Sequence, residues 1–395
     1  MGFLIQALVA IPVRLLRPFV VVRLVRFHTP FGFVLRCPFY YLLRREAERE
    51  AGSERFFDVV FWSGSRPDTA LSKLFGRHIR LVQHPALSRV ARALHVIAWY
   101  WQRRPAMNQH VVDYSDISLH SSNFMNSIKF SARSLMSDSE HRDVTICLER
   151  LGVNPAARVA LIHVRNDSHD THDKLSHSYD VNFANADPSR FQSSVDYLKS
   201  VGFEVLTIGN HPSSPSGLRG VVEYHSSPVR TPLRDFTLGS VASLFLGTTA
   251  GALLGVAFHF RIPALLTNHV VWGSNFNAEF LAYGRGVVLL KNTFLDGEAV
   301  PLSKCLNSHL PISDRALAAR NITLQENSSE EMLVALQYLL SLGDSDEKWQ
   351  AARLGSEQGA FWSVFDEHTL LPRVCKRDGV VVSPSYLSNN PHWLR

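Results

Sequence analysis

The chain has 395 residues, 46% hydrophobic and 19% charged, which is enough to bury the core of one large domain or of two ordinary ones. Its four cysteines are far apart and share no metal-binding spacing, as is typical of free thiols in a reducing compartment. The formal net charge is +6, but residues 1–45 hold seven arginines and no acidic residue. The remaining residues carry 34 basic and 35 acidic side chains, a balance that argues against a nucleic-acid-binding protein.

The basic N-terminal segment, residues 1–45, is also strongly apolar. Its arginines are Arg14, Arg17, Arg23, Arg26, Arg36, Arg44 and Arg45. The charge-free stretches between them are too short to span a bilayer, and no positive charge precedes the apolar run as in a signal peptide. We therefore predict a segment that lies in the plane of an anionic membrane surface, with arginine heads at lipid phosphates. The alternative is a core helix of the first domain, although four prolines argue against one long packed helix.

Residues 46–152 show the pattern of an α/β domain. Phe56–Trp62 predicts a strand, Ser63–Pro67 a turn after it, and Thr69–Phe75 a helix. A further helix over Ser139–Leu151 ends before a glycine, and we place the end of the first domain there.

Strand and helix patterns alternate along residues 153–375. The predicted strands are Arg158–Val164, Phe203–Ile208, Val221–Tyr224, Leu244–Leu246 and Ala264–Thr267, and the predicted helices between them are Pro188–Ser200, Leu233–Val241 and Ala252–Phe260. This alternation predicts a parallel, doubly wound sheet and hence a Rossmann-like domain. Residues 376–395 are predicted to form a tail that returns toward the N-terminal domain.

Two strand ends in this domain carry phosphate-binding chemistry. The strand over Arg158–Val164 leads into Arg165, whose guanidinium can grip two phosphate oxygens, and His163 lies on the same side because strand side chains alternate. The apolar run that ends at Leu246 leads into the turn Gly247–Gly251 and then a helix, whose first N–H groups favour an anion. Ligands of parallel α/β proteins bind at the carboxyl ends of the strands.

We predict that these two strand ends together hold part of a nucleotide-sugar phosphate. Arg165, His163 and the turn residues Thr248 and Thr249 would stabilise negative charge on a departing diphosphate without a metal. Taken singly, each motif has an ordinary explanation: a surface ion pair for His163 and Arg165, and a helix N-cap for the threonines. Residues 236–260, which lack acidic and basic side chains, are also long enough to span a bilayer on hydropathy alone.

The sequence offers no standard metal motif. Residues 169–177 are rich in histidine and aspartate, which zinc and manganese sites use, but no H-E-x-x-H occurs and the pair Asp344 and Asp346 follows a helix stop. We predict no bound metal and no cofactor. Asp235 opens a predicted helix, where the dipole favours a carboxylate; a contact to the nucleotide or sugar is the catalytic alternative. Nucleophile-elbow, P-loop and zinc-finger patterns are absent from the sequence.

Five stretches resemble a family of bacterial glycosyltransferases encoded with surface-polysaccharide and lipopolysaccharide functions. They are His163–Arg165, Tyr179 with Asn185–Asp187, Leu246–Gly251, Pro263–Asn268 and Val382–Leu387. More distantly, the H-x-R strand end is similar to that of GDP-fucose-dependent fucosyltransferases of the GT-B type, in which the arginine binds the donor diphosphate. The chain departs from these patterns at Asp180–Ala184, which replace one arginine, at Ala250, which replaces a serine, and at the acid after H-x-R, displaced to Asp167 or Asp170.

The resemblance implies a GT-B-like α/β fold with two Rossmann-like domains, the acceptor on residues 46–152 and the donor on residues 153–375. It implies a metal-independent glycosyltransferase that moves a sugar from a nucleotide-sugar donor to a lipid-linked or oligosaccharide acceptor in cell-surface polysaccharide synthesis. The expected location is peripheral, at the cytoplasmic face of the inner membrane.

Site roles follow from the two motifs and the resemblance together. The catalytic candidates are His163, Arg165 and Asp235, and the nucleotide-binding candidates are Arg165, Gly247, Thr248, Thr249 and Gly251. The loop Ser63–Arg66 is a candidate for the catalytic base by position only. The alternative function is a non-catalytic, membrane-associated scaffold that keeps a degenerate nucleotide site.

Overall fold

The computed structural model describes residues 21–27, 33–50, 52, 56–62, 69–82, 87, 89–91, 111–112, 131–165, 185–209, 216–248, 251–271, 284–307, 314–366 and 379–395. The chain divides into two compact units, Met1–Leu135 and Met136–Arg395. The sequence predicts a division after residue 152 instead. The helix over Asp138–Arg150 belongs to the second unit because it packs on the helix over Pro232–Thr237, where Arg234 donates to Asp143 at 2.6 and 2.8 Å.

The first unit contains a parallel sheet. Its described elements are β1 (Val21–Phe27), α1 (Phe33–Glu50), β2 (Phe56–Trp62), α2 (Thr69–Gly76) and β3 (Val111–Val112). The strand order is β2-β1-β3, and a parallel bridge from Val60 to Leu81 adds one more chain segment beyond β2. In chain order the four segments therefore lie 3-2-1-4, which matches the first four positions of the Rossmann order 3-2-1-4-5-6.

A buried ion cluster joins β1, β2 and α1. Arg23 lies directly opposite Asp58 in the parallel register and is 2% exposed. Its guanidinium donates to Asp58 at 2.6 and 2.8 Å and to Glu48 at 2.6 and 2.9 Å, and Tyr41 adds a bond to Asp58 at 2.6 Å. Burial acts to raise the pKa values of Asp58 and Glu48, but the bonds from Arg23 outweigh it and hold both below their usual values.

This cluster corrects the membrane assignment for part of the N-terminal segment. Arg23 lies inside the sheet of the first unit, and Arg44 and Arg45 approach Glu48 to 2.9 and 3.4 Å. These three arginines therefore pair with acidic side chains that follow residue 45, and the buried Arg23 does not face lipid phosphates. Residues 1–20, with Arg14 and Arg17, lie outside the described residues.

The second unit is built on a six-stranded parallel sheet. Its strands are β4 (Arg158–His163), β5 (Phe203–Thr207), β6 (Ala242–Thr248), β7 (Ala264–His269), β8 (Gly286–Leu290) and β12 (Val381–Val382). Their order is β12-β8-β7-β6-β4-β5, and a bridge from Leu206 to Val222 extends the sheet beyond β5. The chain order is thus 3-2-1-4-5-6 with β12 added, and the strand order reverses between β4 and β6. The predicted α/β class with Rossmann-like parallel sheets is confirmed.

Helices flank this sheet in two groups. The helices are α3 (Asp138–Arg150), α4 (Gln192–Ser200), α5 (Pro232–Thr237), α6 (Gly251–Phe260), α7 (Leu302–Leu306), α8 (Asp314–Ala318), α9 (Ser329–Leu342), α10 (Asp346–Arg353), α11 (Ser356–Asp366) and α12 (Pro384–Asn389). The crossovers that contain α4 and α6 leave the switch point in opposite directions, so right-handed connections place them on opposite faces. α9 packs on α4, β7 and β8, burying Met332, Ala335, Leu336 and Leu339 at helical spacing.

A small antiparallel sheet and the C-terminal tail complete the second unit. The small sheet has the order β10-β9-β11, formed by Glu298–Ala299, Asn292–Leu295 and Ile322–Gln325. In the tail, β12 pairs with β8, while Tyr386 and Trp393 donate to Asn292 Oδ1 at 2.8 and 2.9 Å. These contacts hold the tail to the second unit, whereas the sequence predicts its return to the first.

The charge-free residues 236–260 do not form one apolar helix. They include β6, which is paired on both sides by β4 and β7, and α6, which has ten residues. Across the part of the chain that the structure describes, we find no helix with both the length and the apolar character needed to cross a membrane.

We predict that Asp58→Asn destabilises the first unit by about 3 kcal/mol, because it leaves the buried guanidinium of Arg23 without its main counter-charge. Urea unfolding, monitored by circular dichroism, measures the change in the free energy of unfolding. Glu46→Gln is the matched control on the same unit, since its partner Arg49 is mostly exposed; the expected change is below about 0.5 kcal/mol. Equal effects of the two substitutions on stability would contradict the role of Asp58 as the main counter-charge of Arg23.

The decline of folding stability at acid pH provides a second test of the same ion cluster. Because Asp58 and Glu48 have lowered pKa values in the folded unit, their contribution is present above their unfolded pKa values, near about 4. It is lost as the pH falls through the lower folded values. Asp58→Asn should therefore flatten the decline of stability between neutral pH and acid.

Candidate functional site

The carboxyl edge of the parallel sheet in the second unit collects polar and cationic residues. β4 is followed by Arg165, β6 ends at Thr248, β7 ends at His269, and β8 is followed by Lys291. The crevice where the strand order reverses lies between the ends of β4 and β6, and this is where doubly wound sheets bind ligands. Both motifs singled out in the sequence therefore meet at the switch point.

A direct hydrogen bond joins the two motifs. The backbone N–H of Arg165 donates to Thr248 Oγ1 at 3.0 Å, and His163 pairs with Gly247 in the parallel register. The strand β6 runs two residues further than predicted, so Gly247 and Thr248 belong to the strand and not to the turn. A Cβ on Gly247 would collide with the carbonyl oxygen of His163, so glycine is required for the close approach of the strands.

A third chain segment, after the ends of β4 and β6, contacts Arg165 and orients its guanidinium. Its Nε donates to Asn185 Oδ1 at 3.1 Å, while the N–H of Ala186 donates to the carbonyl of Arg165 at 2.9 Å. The N–H of Asp187 donates to Glu326 Oε2 at 2.9 Å. We call residues Asn185–Asp187 the strap; it is the same stretch that resembles the glycosyltransferase family in sequence.

Lys291 also binds the strap. Its Nζ donates to the carbonyl of Asn185 at 2.7 Å, and the residue is 4% exposed. Burial lowers the pKa of Lys291, and the negative charges of Glu326 and Asp314 partly offset that effect. Sequence reasoning missed this residue, although the signal was present: Gly286–Leu290 is a short apolar run followed by a cation, as Arg158–Val164 is.

His163 is buried at the end of β4, with 1% of its surface exposed, whereas Arg165 is partly exposed. The structure thus brings both predicted residues to the switch point, with different access to solvent. The role of His163 as a proton donor stays a prediction.

Asp235 has a structural setting on α5. Its carboxylate accepts from Arg230 Nε at 3.1 Å and from Nη2 at 3.0 Å, and Thr231 caps the helix by accepting from the N–H of Arg234 at 3.1 Å. These contacts agree with the helix-start explanation of the carboxylate. Its catalytic role stays a prediction.

Several predicted site residues lie outside the described residues. They are Thr249, Ala250, the loop Ser63–Arg66, Asp167, Tyr179 and the histidine-rich residues 169–177. Gly251 is described and begins α6, so the helix starts one residue earlier than predicted and takes in the last residue of the predicted turn. Within the described ranges, His, Cys, Asp and Glu side chains form no group of three or more that could hold a metal ion.

The end of β7 is fixed by a pair of amides. Asn268 has a φ of 54°, and its N–H donates to Asn327 Oδ1 at 2.7 Å while the N–H of Asn327 donates back to Asn268 Oδ1 at 2.9 Å. Asn327 also donates to the carbonyl of Leu290 at 2.7 Å, which ties β7 and β8 together. Burial lowers the pKa of His269 to about 4, so this imidazole is neutral at physiological pH.

A polar cleft of about 420 Å³ opens beside the end of β8. Its lining includes Arg190, Asn292, Glu326, Glu330, Ser385 and Asn390. Carboxylates, amides and hydroxyls of this kind form hydrogen bonds with the hydroxyl groups of ribose or sugars.

Comparisons with known proteins give distant structural likenesses. The sequence matches no protein-family model and no curated protein. The chain is similar to a crystal structure of a glycosyl transferase family 9 protein from Veillonella parvula DSM 2008, with 12% identity, 81% of this chain and 97% of that chain covered, and a TM-score of 0.45. It is also similar to the glycotransferase of kitacinnamycin, with 12% identity, coverages of 89% and 99%, and a TM-score of 0.32. Likenesses this distant assign neither family nor function, and the fold assignment follows from the strand order.

We predict that Gly247→Ala costs about 1–3 kcal/mol, because the added methyl group pushes β4 and β6 apart at the switch point. Gly359→Ala is the matched control: a Cβ there meets no atom within 4 Å, and the residue lies inside α11. That control should be neutral or more stable by up to about 1 kcal/mol. Chemical denaturation of both variants measures the difference, and a Gly247→Ala protein as stable as the parent would rule out the tight approach.

Proposed function

We propose that this protein is a glycosyltransferase that uses a nucleotide-sugar donor. The observation that carries the proposal is the hydrogen bond from Arg165 N–H to Thr248 Oγ1 across the switch point of a doubly wound sheet. At that point a guanidinium and the start of α6 lie on adjacent strand ends, and both favour an anion. The sequence resemblance of His163–Arg165, the strap and Leu246–Gly251 to bacterial glycosyltransferases supports the same conclusion.

The chemistry that the site would supply is charge stabilisation. In sugar transfer the bond between the anomeric carbon and the diphosphate oxygen breaks, an acceptor hydroxyl bonds to that carbon, and the acceptor proton is lost to a base. Negative charge grows on the departing diphosphate, and Arg165 with the first N–H groups of α6 would bind it. The strap fixes the guanidinium before the donor arrives, which lowers the cost of ordering it. This scheme uses no metal and no cofactor, and His163 would supply a proton to the leaving group.

The acceptor and location follow from the resemblance and from the N-terminal composition. We propose a lipid-linked or oligosaccharide acceptor and a peripheral location at the cytoplasmic face of the inner membrane, in cell-surface polysaccharide synthesis. Since Arg23, Arg44 and Arg45 are engaged within the first unit, membrane contact would fall to residues 1–20, which are apolar and carry Arg14 and Arg17.

We predict that one of UDP, GDP, CMP or dTDP raises the thermal midpoint of the purified protein by about 5 °C when present at a hundred times its Kd. Arg165→Ala should abolish the shift, since it removes the guanidinium at the phosphate position. Arg158→Ala is the matched control, because it removes an arginine from the opposite end of the same strand, where its side chain lies 4.0 Å over Phe203. The shift should persist with EDTA.

Two results would overturn the proposed function. If none of the nucleotides raises the thermal midpoint, the protein has no donor site of the proposed kind. An equal shift in Arg165→Ala and in the parent would show that the nucleotide binds elsewhere.

We predict that replacing both Arg14 and Arg17 by glutamine weakens binding to vesicles of anionic lipid about thirtyfold, since each basic residue near the surface contributes about 1 kcal/mol. Flotation with vesicles of phosphatidylglycerol measures binding, and vesicles of phosphatidylcholine alone provide the control. The folded state should be unaffected, as judged by the thermal midpoint. If the variant and the parent float equally, Arg14 and Arg17 do not contribute to membrane binding.

A further inference from the structure

The polar cleft beside the end of β8 is lined by four separate segments of the second unit. They are the short helix that holds Arg190, the start of β9 at Asn292, residues 325–334 before and within α9, and residues 385–390 in and after α12. Its volume of about 420 Å³ lies within the range of small-molecule sites, about 300–1,000 Å³. Such sites are mostly apolar, whereas among the described lining residues Val334 alone has no polar side-chain group. The cleft therefore fits a small polar ligand.

Part of this lining is already ordered by hydrogen bonds within the protein. Asn292 is 8% exposed, its Oδ1 accepts from the hydroxyl of Tyr386 at 2.8 Å, and its Nδ2 donates to Asn390 Oδ1 at 3.0 Å. These bonds fix the start of β9 against α12. Because the side chains are held before a ligand arrives, binding costs less free energy for ordering them.

The start of α9 faces the cleft but is closed to an anion. Ser328 Oγ accepts from the N–H of Glu331 at 3.1 Å, and the Glu331 carboxylate accepts from the N–H of Ser328 at 2.8 Å. This capping box uses backbone N–H groups that a helix start otherwise offers to an anion. The cleft therefore differs from the switch point, where the start of α6 and Arg165 favour an anion.

The charges along the cleft are predominantly negative. Its lining contains three glutamates and one arginine, a formal net charge of −2. Glu326 has basic neighbours, because it lies 3.6 Å from Arg190 Nε and interacts electrostatically with Lys291. Glu330 and Glu331, in contrast, form no ion pair with any residue that the structure describes. The end of the cleft near α9 therefore repels anions and attracts cations.

Three further polar groups of the lining are accessible to a ligand. The carboxylate of Glu330 and the side-chain amides of Gln325 and Asn389 are exposed and make no hydrogen bond with another described residue. A carboxylate accepts hydrogen bonds, and an amide both donates and accepts them. A metal ion requires acceptors and a phosphate requires donors, whereas a sugar hydroxyl uses both. The mixture favours a ligand with several hydroxyl groups.

We propose that this cleft is a saccharide-binding site that takes a neutral sugar or an amino sugar and excludes acidic sugars. The inference goes beyond the proposed function, because it assigns a second binding site and involves no transfer chemistry. The cleft lies beside β8, and β8 is three strands away from β4, or about 14 Å at a strand spacing of about 4.8 Å. A sugar in the cleft is therefore bound apart from the switch point.

The test measures the affinity of the whole chain for methyl glycosides by ligand-observed NMR titration. Methyl glycosides of glucose, galactose and mannose are compared first, and at least one should bind with a Kd in the millimolar range. The amino sugar that corresponds to the tightest of them should bind at least as tightly. The corresponding uronic acid should bind about tenfold more weakly, because its carboxylate meets the negative charge of Glu330 and Glu331.

Two substitutions test whether the sugar lies in the cleft. Glu330→Gln should weaken the amino sugar about threefold or more and reduce the discrimination against the uronic acid, because it removes one negative charge. Glu347→Gln is the matched control: Glu347 occupies the same second position of a helix, α10, and does not line the cleft. Asn389→Ala should weaken the neutral sugar and provides the test if Glu330→Gln does not fold.

Three results would overturn the inference. One is the absence of binding by all the sugars. Another is a uronic acid that binds as tightly as its neutral counterpart. The third is an unchanged affinity in Glu330→Gln, or in Asn389→Ala if the first variant is unfolded. If spermidine binds in the cleft while the neutral sugars do not, the cleft is a cation site and the assignment to sugars is wrong.

Failure of the inference is distinguishable from failure of the proposed function. Arg165→Ala should lose the thermal shift with nucleotide and keep the affinity for the sugar. If Arg165→Ala loses the sugar as well, the sugar binds at the switch point and the separate site is wrong. If the parent binds a sugar but no nucleotide, the glycosyltransferase proposal falls and the saccharide site stands.

Discussion

The second unit depends on the close pairing of β4 with β6. These strands are first and fourth in the chain order of the sheet, and their contact creates the switch point. The approach is so tight that position 247 has no room for a side chain, and the next residue, Thr248, accepts the N–H of Arg165. The backbone geometry therefore places Arg165 at the carboxyl edge of the sheet, independently of the contacts that its side chain makes. The strap and Lys291 refine a position that the strand pairing already fixes.

The first unit depends on a different constraint, the burial of one arginine. Arg23 in the central strand must be neutralised, and Asp58 on β2 and Glu48 on α1 do this together. A central strand with a charged residue demands its partners in one register and one helix orientation. The cost of desolvation thus specifies how β1, β2 and α1 fit together in the first unit.

Sequence patterns predicted the parts of the fold that local chemistry determines. Alternating strands and helices predict a parallel sheet, and the H-x-R strand end and the glycine-threonine stretch meet at one switch point because β4 and β6 are neighbours in it. Arg23 was misjudged because its acidic partners follow residue 45. A charge count over residues 1–45 does not detect contacts with residues that lie 25 or 35 positions further along the chain. Lys291 was missed because an apolar run followed by a single cation is a weak signal when no second motif accompanies it. Its meaning comes only from the carbonyl of Asn185, which is 106 residues away.

The strap also explains why an insertion beside it is compatible with an intact site. The chain carries extra residues, Asp180–Ala184, where the resembling family has one arginine. The strap takes its position from contacts of its own: Ala186 N–H to the carbonyl of Arg165, Lys291 to the carbonyl of Asn185, and Asp187 N–H to Glu326. None of these contacts passes through the inserted residues, and lengthening a loop adds closure entropy only slowly. Variation before residue 185 can therefore change what surrounds the switch point without moving the asparagine that orients Arg165.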